Sequence, residues 1–394
     1  MNKVKFEDAS PNPEHLIKSI AEQGYSLETS LADLMDNSIS ANSNKIEVLI
    51  DTDSEPFKLF LADNGEGMSE DELSANMQFP SNSPDDKRLK SDLGRFGLGM
   101  KTASFSQTRK FTVLSKKKGE KKFHGRTWDV DFLKVNGWKI IINSDQEVAN
   151  LMYQYNLLSK DLLNSFDNYE PNTIVIWEEL KNFNNYLDTD KQVKHLNEEL
   201  TATTSEYLSV VFHKFMELTH NPLKIRLNNI LVKPFNPFAA TTGELARVLE
   251  PREMSLGNDV LKMEGFVLPV TASDSSNIWT PANKSLLDME GVYVYRGNRI
   301  IFFGGWNGII RKQAKLKLAR LKIQVGNMND EKLQLNVAKS KISIPYELKM
   351  GVLRYISELK TDAIKEYNNR GLRSLTEKHS KIKNNLSLLQ KKST

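Results

Sequence analysis

Asp33 and Asn37 stand four residues apart in the stretch Leu31-Ala32-Asp33-Leu34-Met35-Asp36-Asn37-Ser38. On a helix this spacing puts a carboxylate and an amide on one face. An amide oxygen can complete an octahedral Mg²⁺ shell beside phosphate oxygens and waters. A carboxylate one turn earlier can hold a water against a terminal phosphate as general base. A second cluster is Asp63-Asn64-Gly65-Glu66-Gly67-Met68. Here an aspartate can accept from the exocyclic amine of a purine, Gly65 and Gly67 let backbone approach a flat base, and Met68 can pack on it. The third cluster is Gly94-Arg95-Phe96-Gly97-Leu98-Gly99-Met100-Lys101. Glycine-rich backbone entering a helix offers N–H groups and a positive dipole end to phosphate, and Lys101 adds a point charge.

Taken singly, each cluster has a plainer explanation: a solvated helix face, a tight turn with surface acids, or a dinucleotide-binding loop. The last requires a strand before the glycines and an acid about 20 residues after them. The segment before Gly94 is instead polar and aperiodic, and the acids lie upstream. The phosphate loop of Walker type is also absent, because Lys101 follows Met100 rather than glycine.

The elements that must carry these residues follow from periodicity. Leu27, Leu31, Leu34 and Met35 form an apolar stripe, so a helix spans Ser26 to about Ser40, with Asp33 and Asn37 on another face. Lys45 to Ile50 and Phe57 to Ala62 alternate as strands. Ser69 caps a short helix, with Glu72 at the capping-box position. Pro80 to Leu93 is a polar loop, and the glycine run after it opens a helix. Strands follow at Phe111 to Ser115, Lys122 to Val130, Trp138 to Ile142 and Thr173 to Trp177. Lys191 to Leu218 is helical. Further strands fall at Gly265 to Pro269, Val292 to Arg296, Arg299 to Phe303 and Leu318 to Val325. A long helix fills Tyr346 to Asn368.

In this order, the three clusters resemble the N, G1 and G2 boxes of the GHKL superfamily, which holds gyrase B, MutL, the large heat-shock chaperones and the MORC proteins. The specific motifs cover Tyr25 to Trp177. The resemblance implies an α/β sandwich of the Bergerat type that binds ATP and Mg²⁺. Asn37 would hold the metal, and Asp63 would read adenine with Gly65, Gly67 and Met68 beside it. Gly94, Arg95, Phe96, Gly97, Leu98, Gly99, Met100, Lys101 and Thr102 would wrap the phosphates, and Pro80 to Leu93 would be the lid. Thr173 would support Asp63. One departure stands out: the superfamily usually has glutamate where this chain has Asp33. The expected catalytic base is therefore one methylene short, and the expected hydrolysis slow.

The second half resembles the transducer (S5-like) α/β domain of gyrase B, MutL and MORC-type proteins through Leu335-Asn336-Val337-Ala338-Lys339-Ser340-Lys341. Lys339 or Lys341 would be the lysine that senses the γ-phosphate. The expected organisation is an ATP-binding domain over 1–180, a connecting helix over 181–220, a transducer-like domain over 221–370 and a basic tail over 371–394. Among the superfamily's branches the N and G2 boxes are most similar to MORC-type and prokaryotic Hsp90-like ATP-binding proteins. This implies a homodimer formed on ATP binding and an ATP-gated clamp on DNA, with a partner nuclease or other defence protein. The rival readings are a chaperone acting on protein clients and a scaffold that binds ATP without hydrolysing it.

The chain has 394 residues, 39% hydrophobic and 26% charged, with no cysteine and a net charge of +4. Disulfide and thiol chemistry are thereby excluded. The lack of an apolar leader or a span of about 20 apolar residues predicts a cytoplasmic protein without a membrane anchor. Two basic runs, Lys116 to Lys122 and Arg370 to Lys392, fit either contact with phosphate backbone or a solvated surface.

Overall fold

The helix Leu27–Ser40 shows how the sequence sets the local structure. The computed structural model describes residues 7, 10–22, 24–78, 99–159, 166, 169–181, 188–256, 259–326 and 348–369. Two compact units divide the chain: 1–209 with 215–233, and 210–214 with 234–394. In the first unit α1 (Pro13–Ala21) precedes α2 (Leu27–Ser40). Leu27, Leu31, Leu34 and Met35 are buried as the stripe predicts. The Ser26 N–H donates to Thr29 Oγ1 at 3.0 Å and so closes the start of α2. Truncating Leu31, fully buried, to alanine would cost roughly 2–5 kcal/mol.

The strands of this unit are β1 (Lys45–Asp51), β2 (Lys58–Asp63), β3 (Lys110–Ser115), β4 (His124–Asp129), β5 (Ile141–Ile142), β6 (Thr173–Glu178), β7 (Lys224–Leu227) and β8 (Ile230–Leu231). They form one eight-stranded sheet in the order β5-β4-β3-β6-β2-β1-β7-β8. All neighbours are antiparallel except β1 and β7. Helices α3 (Glu70–Met77), α4 (Gly99–Gln107), α5 (Val130–Asn136) and α6 (Asp145–Leu158) complete the frame. One face of the sheet packs α6 against Leu49, Phe60, Leu114, Ile174 and Ile176. α2 and α4 pack together, and Trp177 Nε1 donates to Ser104 Oγ of α4 at 2.9 Å.

Several sequence expectations are corrected. Trp138 to Ile142 contributes only the two residues of β5. Two helices lie where no helix was expected, α5 and α6, the latter opened by a capping box between Ser144 and Glu147. The first domain also does not end at residue 180. β7 pairs in parallel with β1, Lys45 opposite Lys224, so residues 215–233 return to the first sheet. The expected connecting helix over 181–220 is instead α7 (Thr189–Glu198), a π-helical turn (Glu199–Thr204), α8 (Ser205–Val211) and α9 (His213–Met216).

The second unit is built on a six-stranded sheet. Its strands are β9 (Arg247–Val248), β10 (Arg252–Leu256), β11 (Asp259–Val267), β12 (Gly291–Arg296), β13 (Arg299–Phe303) and β14 (Ala319–Val325). Their order is β10-β11-β14-β12-β13, with β9 also on β11. Helix α10 (348–369) lays Val352, Tyr355, Ile356, Leu359 and Ala363 against Leu261, Met263, Leu321 and Ile323. Tyr355 Oη accepts the Gly265 N–H at 2.8 Å and donates to the Glu250 carbonyl at 2.9 Å, which fixes the helix on the sheet. The Lys339 and Lys341 loop, the Pro80 to Leu93 segment and the tail from Arg370 lie outside the described residues.

Candidate nucleotide site

The end of β2 and the start of α4 bring the predicted chemistry to two positions in the first unit. Asp63 closes β2 and is buried. Its Oδ1 accepts the Gly65 N–H at 2.9 Å, and its Oδ2 accepts the Ser38 hydroxyl at 2.8 Å. Burial pushes the Asp63 carboxyl up to about 6, and the bonds from Gly65 and Ser38 pull in the opposite direction. Both donors are neutral. A buried carboxylate held in this way suits a ligand that brings a further donor.

The turn after Asp63 is set by close backbone approach. Gly67 has φ +63°, and a Cβ there would lie 1.8 Å from the Lys116 carbonyl oxygen. A Cβ on Gly65 would lie 2.7 Å from the Ala41 carbonyl oxygen. Any side chain at either position would push the turn away from its neighbours. The Met68 N–H donates to Ser115 Oγ at 2.9 Å, which holds this partly buried methionine beside the turn. Asn64 ties the same turn to β1, its Oδ1 accepting from the N–H groups of Asn44 and Lys45 at 3.1 and 2.9 Å.

Thr173 was expected to support Asp63. It lies opposite Asp63 in the β2–β6 register. Its hydroxyl pairs with Ser115 Oγ at 2.9 Å, while the second oxygen of Asp63 takes Ser38. Ser38 was not singled out in the sequence, although its place directly after Asn37 put it on the helix facing β2. Asn172 was also missed; its Nδ2 donates to the Gly65 carbonyl at 2.7 Å.

On α2, Asn37 is exposed and Asp33 is buried. Asp33 Oδ2 accepts the Tyr25 hydroxyl at 2.8 Å. α4 begins at Gly99, and of the phosphate-loop residues Gly99, Met100, Lys101 and Thr102 are described; Gly94, Arg95, Phe96, Gly97 and Leu98 are not. Lys101 is buried in the first turn of α4, and burial lowers its pKa to about 8. An ammonium pays desolvation here, and the N-terminal end of the helix adds no stabilisation to a cation. Both costs fall when a polyanion arrives. The donor set thus fits a Mg²⁺ nucleotide: Asn37 offers an exposed oxygen to the metal, Asp63 an acceptor to a base, and Lys101 a cation to phosphate.

In the basic hairpin between β3 and β4, Lys116 is more internal than the composition suggests. Lys116 is buried and bonds Glu170 at 2.5 Å and the Glu120 carbonyl at 2.9 Å. Lys117, Lys118 and Lys122 pair with Glu72, Glu66 and Asp145 at 2.8, 3.3 and 3.1 Å.

Residues 25–162 match the sequence family described as histidine kinase-, DNA gyrase B-, and HSP90-like ATPase. The fold and this match are consistent with the GHKL superfamily over residues 25–162, with Hsp90-like relatives. The chain is similar to the chaperone protein HtpG of Rickettsia typhi (strain ATCC VR-144 / Wilmington), 38% identical over 122 residues. It is 32% identical over 117 residues to the chaperone protein HtpG of Rickettsia prowazekii (strain Madrid E). These matches cover 28% and 27% of this chain, and 18% of each relative's length. Among the described residues no helix is long and apolar enough to cross a membrane.

Proposed function

We propose that the first unit binds Mg²⁺–ATP and hydrolyses it slowly. In this reading Asp63 accepts from the adenine amine, Asn37 ligates Mg²⁺, Lys101 and the backbone from Gly94 to Thr102 hold the phosphates, and Asp33 takes the proton of the attacking water. The observation that carries it is the buried Asp63 carboxylate, held by Gly65 and Ser38 beside a turn that only glycine permits. Asp63→Asn and Asn37→Ala each abolish ATP binding in titration calorimetry, with unchanged circular dichroism. Wild-type affinity in both variants would defeat the assignment. ATP affinity also weakens as pH falls through about 6, because protonation removes the acceptor from Asp63.

The ATP cycle would work by closing two copies of the chain together, with Lys339 or Lys341 as the expected γ-phosphate sensor. Light scattering tests this directly: a monomer with ADP and a dimer with a non-hydrolysable ATP analogue. The clamp then acts on DNA or on a protein client. The internal pairing of the hairpin lysines withdraws part of the support for DNA, and the relatives named above are chaperones. That likeness is confined to the nucleotide-binding segment, so it supports the ATP cycle more than the client. Turnover measured with and without long DNA at low salt discriminates the two.

A further inference from the structure

The short aspartate at position 33 has a partner that the three sequence boxes do not include. Tyr25 precedes the N-cap of α2 and lies eight residues before Asp33, yet its hydroxyl donates to Asp33 Oδ2 at 2.8 Å, with both side chains buried. Helical side chains tilt toward the N-terminus, so Asp33 leans toward Tyr25, and the phenol spans the remaining gap.

The backbone of Tyr25 is tied to the phosphate-facing helix as well. Gln107, at the end of α4, donates from Nε2 to the Tyr25 carbonyl at 3.5 Å and to Ser30 Oγ at 2.9 Å. Ser30 and Ser106 hydroxyls pair at 3.1 Å across the same two helices. The start of α2 is thereby fixed against the helix that opens at Gly99.

We propose that Tyr25 is a positioning residue for ATP hydrolysis, its hydroxyl holding the Asp33 carboxylate in one rotation. The inference rests on Asp33 being the base. The reason is physical: the terminal torsion of aspartate is broad, so a helix fixes where the carboxylate is but not how it turns. A hydrogen bond to one oxygen sets that rotation. In the step itself, water oxygen bonds to the γ-phosphorus and its proton passes to Asp33. The bond from the γ-phosphorus to the β,γ-bridging oxygen breaks, and its electron pair leaves with ADP. The proton is later released to solvent, leaving inorganic phosphate.

The test uses Tyr25→Phe in the full chain, with Asp33→Asn beside it. Tyr25→Phe keeps the ring and removes the donor. The expected result is a kcat lowered about tenfold, from the loss of one hydrogen bond to a charged group. Affinity for a non-hydrolysable ATP analogue stays at the wild-type value. A role confined to folding would lower stability without lowering kcat at an unchanged affinity. If Asp33→Asn abolishes turnover while Tyr25→Phe leaves kcat unchanged, the inference about Tyr25 is wrong and the base assignment stands. If Asp33→Asn hydrolyses ATP normally, or the wild type does not hydrolyse it, the base assignment fails and the Tyr25 role falls with it.

Discussion

Two buried carboxylates on neighbouring strands, Glu47 on β1 and Asp63 on β2, are treated oppositely by the same sheet. Glu47 lies opposite Ala62 in the register, so its side chain and that of Asp63 emerge on opposite faces. Glu47 Oε2 takes Arg226 Nε at 2.6 Å, and its Oε1 accepts from Ser159 at 2.7 Å and from the Tyr155 hydroxyl. Arg226 in turn stacks on Phe166 at 4.3 Å and donates to Ser159 at 3.1 Å. Charge and lone pairs are met from within the protein. Among the described residues Asp63 accepts only from neutral donors, and burial raises its pKa to about 6. The contrast separates a group that staples the fold from one whose desolvation, in the proposed function, a ligand would offset.

The largest expected effect comes from breaking the staple. Arg226→Ala leaves Glu47 charged and unpaired in the interior, and should destabilise the first unit by about 3–5 kcal/mol in denaturant melts. Because Arg226 stands on β7, the loss should release residues 215–233 from the sheet, seen as faster amide exchange there.

Asp63→Asn should act in the opposite direction. A carboxyl whose folded pKa is raised contributes stability below its unfolded value of 3.8, and this contribution is lost as pH rises through about 6. At pH 7 the ionised form therefore costs up to about 3 kcal/mol. A neutral amide should recover about 1–3 kcal/mol at pH 7 and nothing near pH 4, a difference measurable by urea melts at the two pH values.

Lys101→Met is the cationic counterpart. Its folded pKa is lowered from 10.5 to about 8, so its contribution to stability is present above 10.5 and lost as pH falls through about 8. At pH 7 the variant should be more stable than wild type by about 1–3 kcal/mol and bind the triphosphate more weakly.

The smallest effect is expected at the hairpin. The pairs made by Lys117, Lys118 and Lys122 are exposed, and exposed pairs are worth about 0–1 kcal/mol each. Replacing all three by alanine should barely move the melting midpoint. A steep loss of stability would mean that the hairpin, like Glu47, is a staple.

What was legible in the sequence was local. The apolar stripe of α2, the capping box of Ser69 and Glu72, and the strand ending in Asp63 are carried by residues within a few positions of one another. The structure brings Ser69 and Glu72 together at 2.8 and 3.3 Å. α6 was legible too, through Ser144, Glu147 and the buried Val148 and Tyr155, but was passed over. α1 packs on α4 and α5, with Ile17 buried and Glu14 paired to Lys134 at 2.8 Å. The partners of Glu47 and Asp63 were not readable, because Arg226 is 179 residues from Glu47 and Ser38 is 25 from Asp63. Sequence periodicity carries no information on pairings at such distances. Lys116 looked solvated for the same reason, since its partner Glu170 is 54 residues away.

The central claim is that Asp63 is kept costly because a nucleotide uses it. Thermal unfolding of wild type and Asp63→Asn at pH 7.5, each with and without Mg²⁺–ATP, tests this in one experiment. The account predicts a wild type whose midpoint rises with ATP, and a variant whose midpoint is already higher without ATP and does not move when it is added. A variant less stable than wild type, or one stabilised by ATP to the same degree, would contradict it.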